Sequence, residues 1–358
     1  MEFLSTFFET ANIGVVVLLF IVGLVFIIKG GDWFVDSASW IAEVLGVPKF
    51  VIGATIVSIA TTLPEMIVSV VASVDGKVDM AAGNAVGSVT ANTAMIMGIF
   101  IVCMPFAQKR KEFAPKALMM LGAAVALTLG SALTGIVTVP GLEGQYHTLS
   151  NIGVIVLFAI FIAFFIENFI SMKNSSTQIE PSPTNIGLQE EDDVVPTKQT
   201  ATPGEWIKNV AMFIVGALLV VAGAQLLING GTRIAEEMGI SERVIAVIAV
   251  AIGTSLPEVV TTITALRKKE GALSVGNILG ANIIDLTLIL PICSFVSMGK
   301  GQGSLLVSTG SVFDMYICIA AVALAVIPTI ITKKFQRWQG IVSLLGYLAY
   351  VVYTFAAA

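Results

Sequence analysis

The sequence predicts an all-α polytopic membrane protein made of two copies of one unit. Composition is the first indication: of 358 residues, 56% are hydrophobic and 12% charged, with a mean hydropathy of +0.93. A soluble domain carries about 25% charged residues. Second, apolar runs of membrane-spanning length recur without the period-two alternation of a transmembrane barrel. Third, Thr61-Thr62-Leu63-Pro64-Glu65 returns as Thr254-Ser255-Leu256-Pro257-Glu258, at an offset of 193 residues. The same offset pairs Ile41-Ala42-Glu43 with Ile234-Ala235-Glu236, Gly46 with Gly239, Gly83-Asn84 with Gly276-Asn277, and Gly87 with Gly280. An ungapped duplication of this length sets the architecture before any local feature does.

Ten spans are expected, at 13–29, 50–73, 80–104, 116–138, 149–171, 207–229, 243–266, 273–296, 309–331 and 339–357. The first follows Met1–Asn12, which has two glutamates and no Lys or Arg, so it is expected as an uncleaved anchor. Spans 2 and 3, and their counterparts 7 and 8, carry the repeated motifs. Lys109, Arg110, Lys111 and Lys116 lie between spans 3 and 4, Arg267, Lys268 and Lys269 between 7 and 8, and Lys333, Lys334 and Arg337 between 9 and 10. Lys173, Lys198 and Lys208 lie between 5 and 6, whereas the opposite loops hold Lys77, Arg233, Arg243 and Lys300. The positive-inside rule puts the richer side in the cytoplasm and the N-terminus outside. With five spans per unit, the second unit is inverted. The domain reading is therefore 1–172, a first transmembrane repeat; 173–205, a disordered cytoplasmic linker; and 206–358, the inverted second repeat. The linker is rich in Ser, Thr, Pro and Gln and carries the acidic run Glu190-Glu191-Asp192-Asp193.

The repeated motif has a chemistry. A glutamate at the centre of a membrane helix costs about 2.5–3.5 kcal/mol even on lenient insertion scales. Proline removes an N–H and clashes with the carbonyl four residues back, Ala60 for Pro64 and Gly253 for Pro257. Helices 2 and 7 are thus expected to be broken, with carbonyls freed at membrane depth, where they are tolerated only beside a cavity or a ligand. Hard cations take carboxylate, carbonyl and hydroxyl oxygens. Thr61, Thr62, Thr254 and Ser255 supply hydroxyls, and Glu65 and Glu258 follow three and four residues later on the same face. Gly83-Asn84-x-x-Gly87-Ser88 and Gly276-Asn277-x-x-Gly280-Ala281 make small-residue faces for close helix approach. Asn92 and Asp285 lie one turn beyond, and Asn84 and Asn277 are placed to cap or to hydrogen-bond across helices. No basic residue is expected at the depth of these acids, which leaves mobile cations as their partners.

Other residues carry structural readings. Cys103, Cys293 and Cys318 lie in apolar runs without ligand spacing. His147, the single histidine, falls in a short external loop and is expected to be solvated. Asp32, Asp36, Glu43, Glu167 and Asp314 are expected as structural or vestibule charges near span ends. No nucleophile–base pair, phosphate loop or cofactor motif is present, so neither an enzyme nor a bound cofactor is expected. With a net charge of −5, no nucleic-acid partner is expected either. The partners are the lipid bilayer and small ions, and the location is the cell membrane.

Two copies of Gly/Ala-Thr-Ser/Thr-Leu-Pro-Glu, each followed by Gly-Asn-x-x-Gly, resemble the alpha repeats of the cation/calcium antiporter superfamily, and within it the prokaryotic sodium/calcium exchangers. The resemblance covers both repeats. It implies an alternating-access antiporter that exchanges calcium for sodium. It places the central acids on Glu65 and Glu258, further ligands on Ser58, Thr61, Thr62, Ala251, Thr254 and Ser255, and third-helix ligands on Ser88, Asn92 and Asp285. The chain departs from the pattern at Ala60, where glycine is usual, at Thr62, where serine is usual, and at Ala281, where a hydroxyl is often found. Proton/calcium antiport and potassium-dependent sodium/calcium exchange are the alternatives. Relatives of the proton-coupled kind carry Gly-Asn where this chain has Thr-Thr and Thr-Ser, and an acid at position 285 also occurs in potassium-dependent relatives.

Overall fold

The computed structural model describes residues 7–8, 10–74, 78–105, 110–138, 145–175, 201–238, 255–299 and 304–357. The helix α1 (Ile13–Leu45) begins at Asn12, whose side chain accepts from the Gly14 N–H at 2.8 Å. It ends at Gly46, in the left-handed conformation at φ 64°, where Val47 N–H bonds Ala42 O and Gly46 N–H bonds Glu43 O. The helix α2 (Lys49–Val74) contains a π-helical turn at Gly53–Val57. The helix α3 runs through Val78–Thr90, a π-helical turn at Ala91–Ile96, and Met97–Cys103. Next come α4 (Arg110–Ala132), strand β1 (Tyr146–Thr148) and α5 (Asn151–Ser175). The second half has α6 (Pro203–Glu237), α7 (Leu256–Arg267) and α8, which runs through Gly271–Ile284, a third π-helical turn at Asp285–Ile289, and Leu290–Gly299. Strand β2 (Leu306–Ser308), α9 (Thr309–Thr332) and α10 (Arg337–Ala357) complete it.

Eight helices among the described residues are long and apolar enough to cross a membrane: α1 to α6, α8 and α9. Within those spans, 83% of α8 and 72% of α3 is buried, against 22% of α1 and of α6, so α8 and α3 form the centre and α1 and α6 an outer layer. The outer pair packs backbone to backbone. A Cβ on Gly30 would lie 2.9 Å from Gly216 O, and one on Gly223 would lie 2.8 Å from Gly23 O. Contact positions rise along one helix as they fall along the other, so α1 and α6 are antiparallel.

Several elements differ from the sequence reading. The helix α2 continues through Pro64 without interruption; its irregular turn is at Gly53–Val57, before the motif. Pro257 stands in the first turn of α7, where the missing N–H would have no intrahelical partner anyway; residues 239–254, including Gly253, lie outside the described residues. The helix α1 runs on past position 29, carrying Asp32, Asp36 and Glu43 within it. Lys268 clasps the first two, at 3.7 Å and 2.6 Å, and Lys49 holds Glu43 at 3.3 Å and Glu270 at 2.8 Å. The last contact puts the start of α2 and the α7–α8 turn at one end of the bundle. Lys116 is not in a loop, because α4 already begins at Arg110; its side chain is fully buried and paired with Glu167 at 2.5 Å. His147 sits in a strand, its Nδ1 2.9 Å from Thr134 O, and β1 pairs antiparallel with β2 through Tyr146 and Ser308, His147 and Val307, and Thr148 and Leu306. Cys103 is exposed and the other two cysteines are buried; all three are free thiols. Both ends of the range expected as linker, 173–175 and 203–205, are helical. Ser175 still belongs to α5, and α6 starts at Pro203 behind a capping box made by Thr202 and Glu205. Residues 176–200 lie outside the described residues.

Candidate cation site

The site begins with the packing of α8 on the π-helical turn of α2. A Cβ on Gly276 would fall 2.1 Å from Phe50 O, one on Gly53 2.2 Å from Leu273 O, and one on Gly280 2.5 Å from Ser58 Oγ. Only glycine permits this approach, as the small-residue faces predict. No described atom lies within 4 Å of a Cβ on Gly83 or Gly87; residues 243–251, the offset counterparts of Phe50–Ser58, lie outside the described residues. In the π turn, Ser58 N–H reaches Gly53 O five residues back. Ser58 Oγ donates to Thr55 O at 3.1 Å, and Ser58 O accepts from Thr62 Oγ1 at 2.6 Å. Thr61 Oγ1 lies 3.3 Å from Ser58 O and 3.2 Å from Asn277 Oδ1. Asn277 Nδ2 donates to Thr261 Oγ1 at 3.1 Å, so this one amide ties α2 to α7. On the other side, Asn84 Nδ2 donates to Ser69 Oγ at 3.0 Å and to Glu65 O at 3.4 Å. The two asparagines of the repeat thus act as cross-helix connectors.

These contacts surround three buried acids. Glu65, Glu258 and Asp285 are each 1% exposed. Glu65 senses the charges of Glu258 and Asp285, and Asp285 that of Glu258, so the three share one electrostatic environment. None is paired with a lysine or arginine among the described residues; the buried Lys116 is committed to Glu167. Both carboxylate oxygens of Glu65, Glu258 Oε2, Asp285 Oδ1, Asn92 Oδ1 and Ser255 Oγ have no hydrogen-bond partner among the described residues. Buried polar atoms are nearly always satisfied, so a concentration of orphaned oxygens needs an explanation. Ser255 stands at the start of α7, its side chain making no capping bond, and Glu258 lies in that helix's first turn. Ser88 is buried in α3 one turn before Asn92. Asn92 and Asp285 each sit in a π-helical turn, Ala91–Ile96 and Asp285–Ile289, at positions related by the offset.

Of the residues expected at the site, Ser58, Thr61, Thr62, Glu65, Ser88, Asn92, Ser255, Glu258 and Asp285 are buried in this central region; Ala251 and Thr254 lie outside the described residues. Among those described, no three Asp, Glu, His or Cys side chains form a metal cluster by themselves. Sequence reasoning missed Ser69, Thr261 and Asn282. Asn282 is three residues before Asp285, and so on its helix face, but its offset partner is Val89, and a comparison of the two repeats hides it.

Membrane-length helices packed around carboxylate and amide oxygens that lack partners among the described residues define an integral membrane protein with a polar centre. The chain belongs to the sodium/calcium exchanger protein family, whose model matches residues 15–167 and 208–356. It is 30% identical to the sodium/calcium exchanger MaX1 of Methanosarcina acetivorans, with 94% of this chain and 98% of that protein covered. It is also 30% identical to the inner membrane protein YrbG of Escherichia coli, over 79% of this chain and 80% of that one. A solved structure of the sodium-calcium exchanger NCX_Mj superposes with a TM-score of 0.75 at 26% identity, covering 95% of this chain and 99% of the other. The protein is a multi-pass protein of the cell membrane.

Proposed function

We propose that this protein is a secondary active antiporter that exchanges calcium for sodium by alternating access. The observation that carries the reading is the set of buried oxygens without partners on Glu65, Glu258, Asp285, Asn92 and Ser255. Glu65 and Glu258 are the paired carboxylates for a divalent ion. Asp285, Asn92, Ser58, Thr61, Thr62, Ser88, Thr254, Ser255 and the carbonyl of Ala251 complete the sites for calcium and sodium. Cargo then supplies the positive charge that no basic side chain among the described residues provides. The antiparallel contact of α1 with α6 supports two inverted repeats. So do the π turns at offset positions in α3 and α8. The ten-span layout rests on the apolar runs, and the external N-terminus on the positive-inside rule. Inverted repeats that meet at a central ion site are the usual basis of alternating access. Hydroxyl ligands favour sodium as counter-ion, since they have no useful proton affinity near neutral pH.

The test is calcium uptake into proteoliposomes under imposed ion gradients. Uptake should follow an outward sodium gradient and should not follow a proton gradient when sodium is absent. Glu65→Gln and Glu258→Gln should each reduce exchange by more than about tenfold while inserting normally, because the amide keeps the shape and loses the charge. Uptake driven by pH alone would replace the reading with proton/calcium antiport, and a requirement for potassium would replace it with the potassium-dependent variant.

A further inference from the structure

An amide is an ambiguous cation ligand. Its oxygen accepts and its nitrogen donates, and half a turn about the last side-chain bond exchanges them. A carboxylate offers oxygen either way. The two offset-related positions in the π turns of α3 and α8 hold one of each, Asn92 and Asp285. Asp285 needs nothing to select its oxygen, whereas Asn92 does.

Asn92 Nδ2 donates to Asn282 Oδ1 at 3.1 Å, and Asn92 Oδ1 is left buried with no partner among the described residues. Asn282 is itself fixed. It is fully buried, and its Nδ2 donates to Thr93 Oγ1 at 2.9 Å and to Met120 Sδ at 3.4 Å; a hydroxyl can serve either end of an amide but a thioether only accepts, so the two contacts together leave the Asn282 oxygen facing Asn92. The polar chain occurs on one side only. The offset partners of Asn282 and Thr93 are Val89 and Leu286. A purely packing role would give no reason for the polar pair to accompany the amide and be missing beside the carboxylate. We infer that Asn282, locked by Thr93 and Met120, is a positioning residue of the cation site that holds the Asn92 amide with its carbonyl oxygen turned toward the ion. The inference rests on the proposed role of Asn92 as a ligand.

Removing the acceptor frees the amide to present its amino group to the cation. Loss of such an outer-shell partner typically lowers metal affinity or activity by about 10–100-fold. The experiment is sodium-driven calcium uptake in proteoliposomes of the full chain, as a function of calcium concentration, for wild type, Asn92→Ala, Asn282→Val, Thr93→Val and the Asn92→Ala/Asn282→Val pair. Asn282→Val should raise half-saturating calcium by about tenfold or more, with a much smaller change in the saturating rate. The near-isosteric Thr93→Val, which unlocks Asn282 without removing it, should shift half-saturation in the same direction by less, and it carries the test if Asn282→Val fails to fold. The double variant should match Asn92→Ala, because no amide remains to be oriented. Unchanged half-saturation in Asn282→Val and Thr93→Val alongside an impaired Asn92→Ala would overturn the inference and leave the cation-site reading standing. Additive effects in the double variant would also overturn it. Wild-type behaviour of Asn92→Ala would overturn the inference and the assignment of Asn92 as a ligand together.

Discussion

A lysine with no exposed side-chain surface carries a desolvation cost of several kcal/mol unless its charge is met. Lys116 meets it with Glu167 at 2.5 Å, and the ammonium also stands 5.4 Å from the centre of the Phe50 ring. Ser171 Oγ donates to the other carboxylate oxygen of Glu167 at 2.9 Å. The bundle therefore holds its acids in two ways: half-buried Glu167 is neutralised by a resident lysine, whereas buried Glu65, Glu258 and Asp285 have no basic partner among the described residues. Lys116→Met leaves Glu167 without its counter-charge and should destabilise the protein by about 3–5 kcal/mol. Lys116→Met combined with Glu167→Met should recover most of that loss. Thermal unfolding of the detergent-purified variants measures both, and equal melting of the single and double variants would show that the pair is not what stabilises this region.

At the scale of elements, the close seat of α8 on α2 depends on atoms that are absent. A methyl group at Gly276 would meet the Phe50 carbonyl at 2.1 Å, and main chain must then move. Gly276→Ala should cost about 1–3 kcal/mol and depress transport, since Ser58, Thr61 and Glu65 are carried by the helix displaced. Gly346→Ala in α10 is the control. No described atom lies within 4 Å of its Cβ position, and the change should be neutral or slightly stabilising. Exchange rates and melting temperatures that are equal in the two variants would end this account. Most of these elements were legible from apolar run length, and the seam between α2 and α8 from Gly276 and Gly280. The π turns were not, because a widened turn is decided by tertiary packing and leaves no fixed residue signature. Pro64 suggested a break that the helix does not make. Lys116 looked like a loop residue because its partner, Glu167, is remote in sequence. The short strands escaped notice because three residues paired across two loops have too little periodicity to detect.

For the whole molecule, the duplication made the candidate site legible: two motifs at one offset pointed to Glu65 and Glu258, and the same offset concealed Asn282. It also bears on the segment between the halves. Residues 177–200 have few apolar side chains to bury, and the family model skips the stretch between 167 and 208. Replacing 177–200 with a Gly/Ser sequence of equal length should leave sodium-driven calcium uptake within about twofold of wild type, because a stretch with so few apolar side chains has little to add to a packed core. Loss of uptake with normal insertion would assign the segment a direct part in transport.

The glycine seam of α1 and α6 has one more property. Gly216 and Gly223 are the offset partners of Gly23 and Gly30, yet Gly23 meets Gly223 and Gly30 meets Gly216. Each residue touches the counterpart of the other, which is the reciprocal contact that identical subunits make across a two-fold axis. Such a surface is complementary to itself. A half-length gene whose product entered the membrane in both orientations would have had a ready-made homodimer interface, and fusing two copies would have required only a tether. The contacts of α1 and α6 are those such a dimer would make, while the two halves differ in carrying Asn92 on one side and Asp285 on the other.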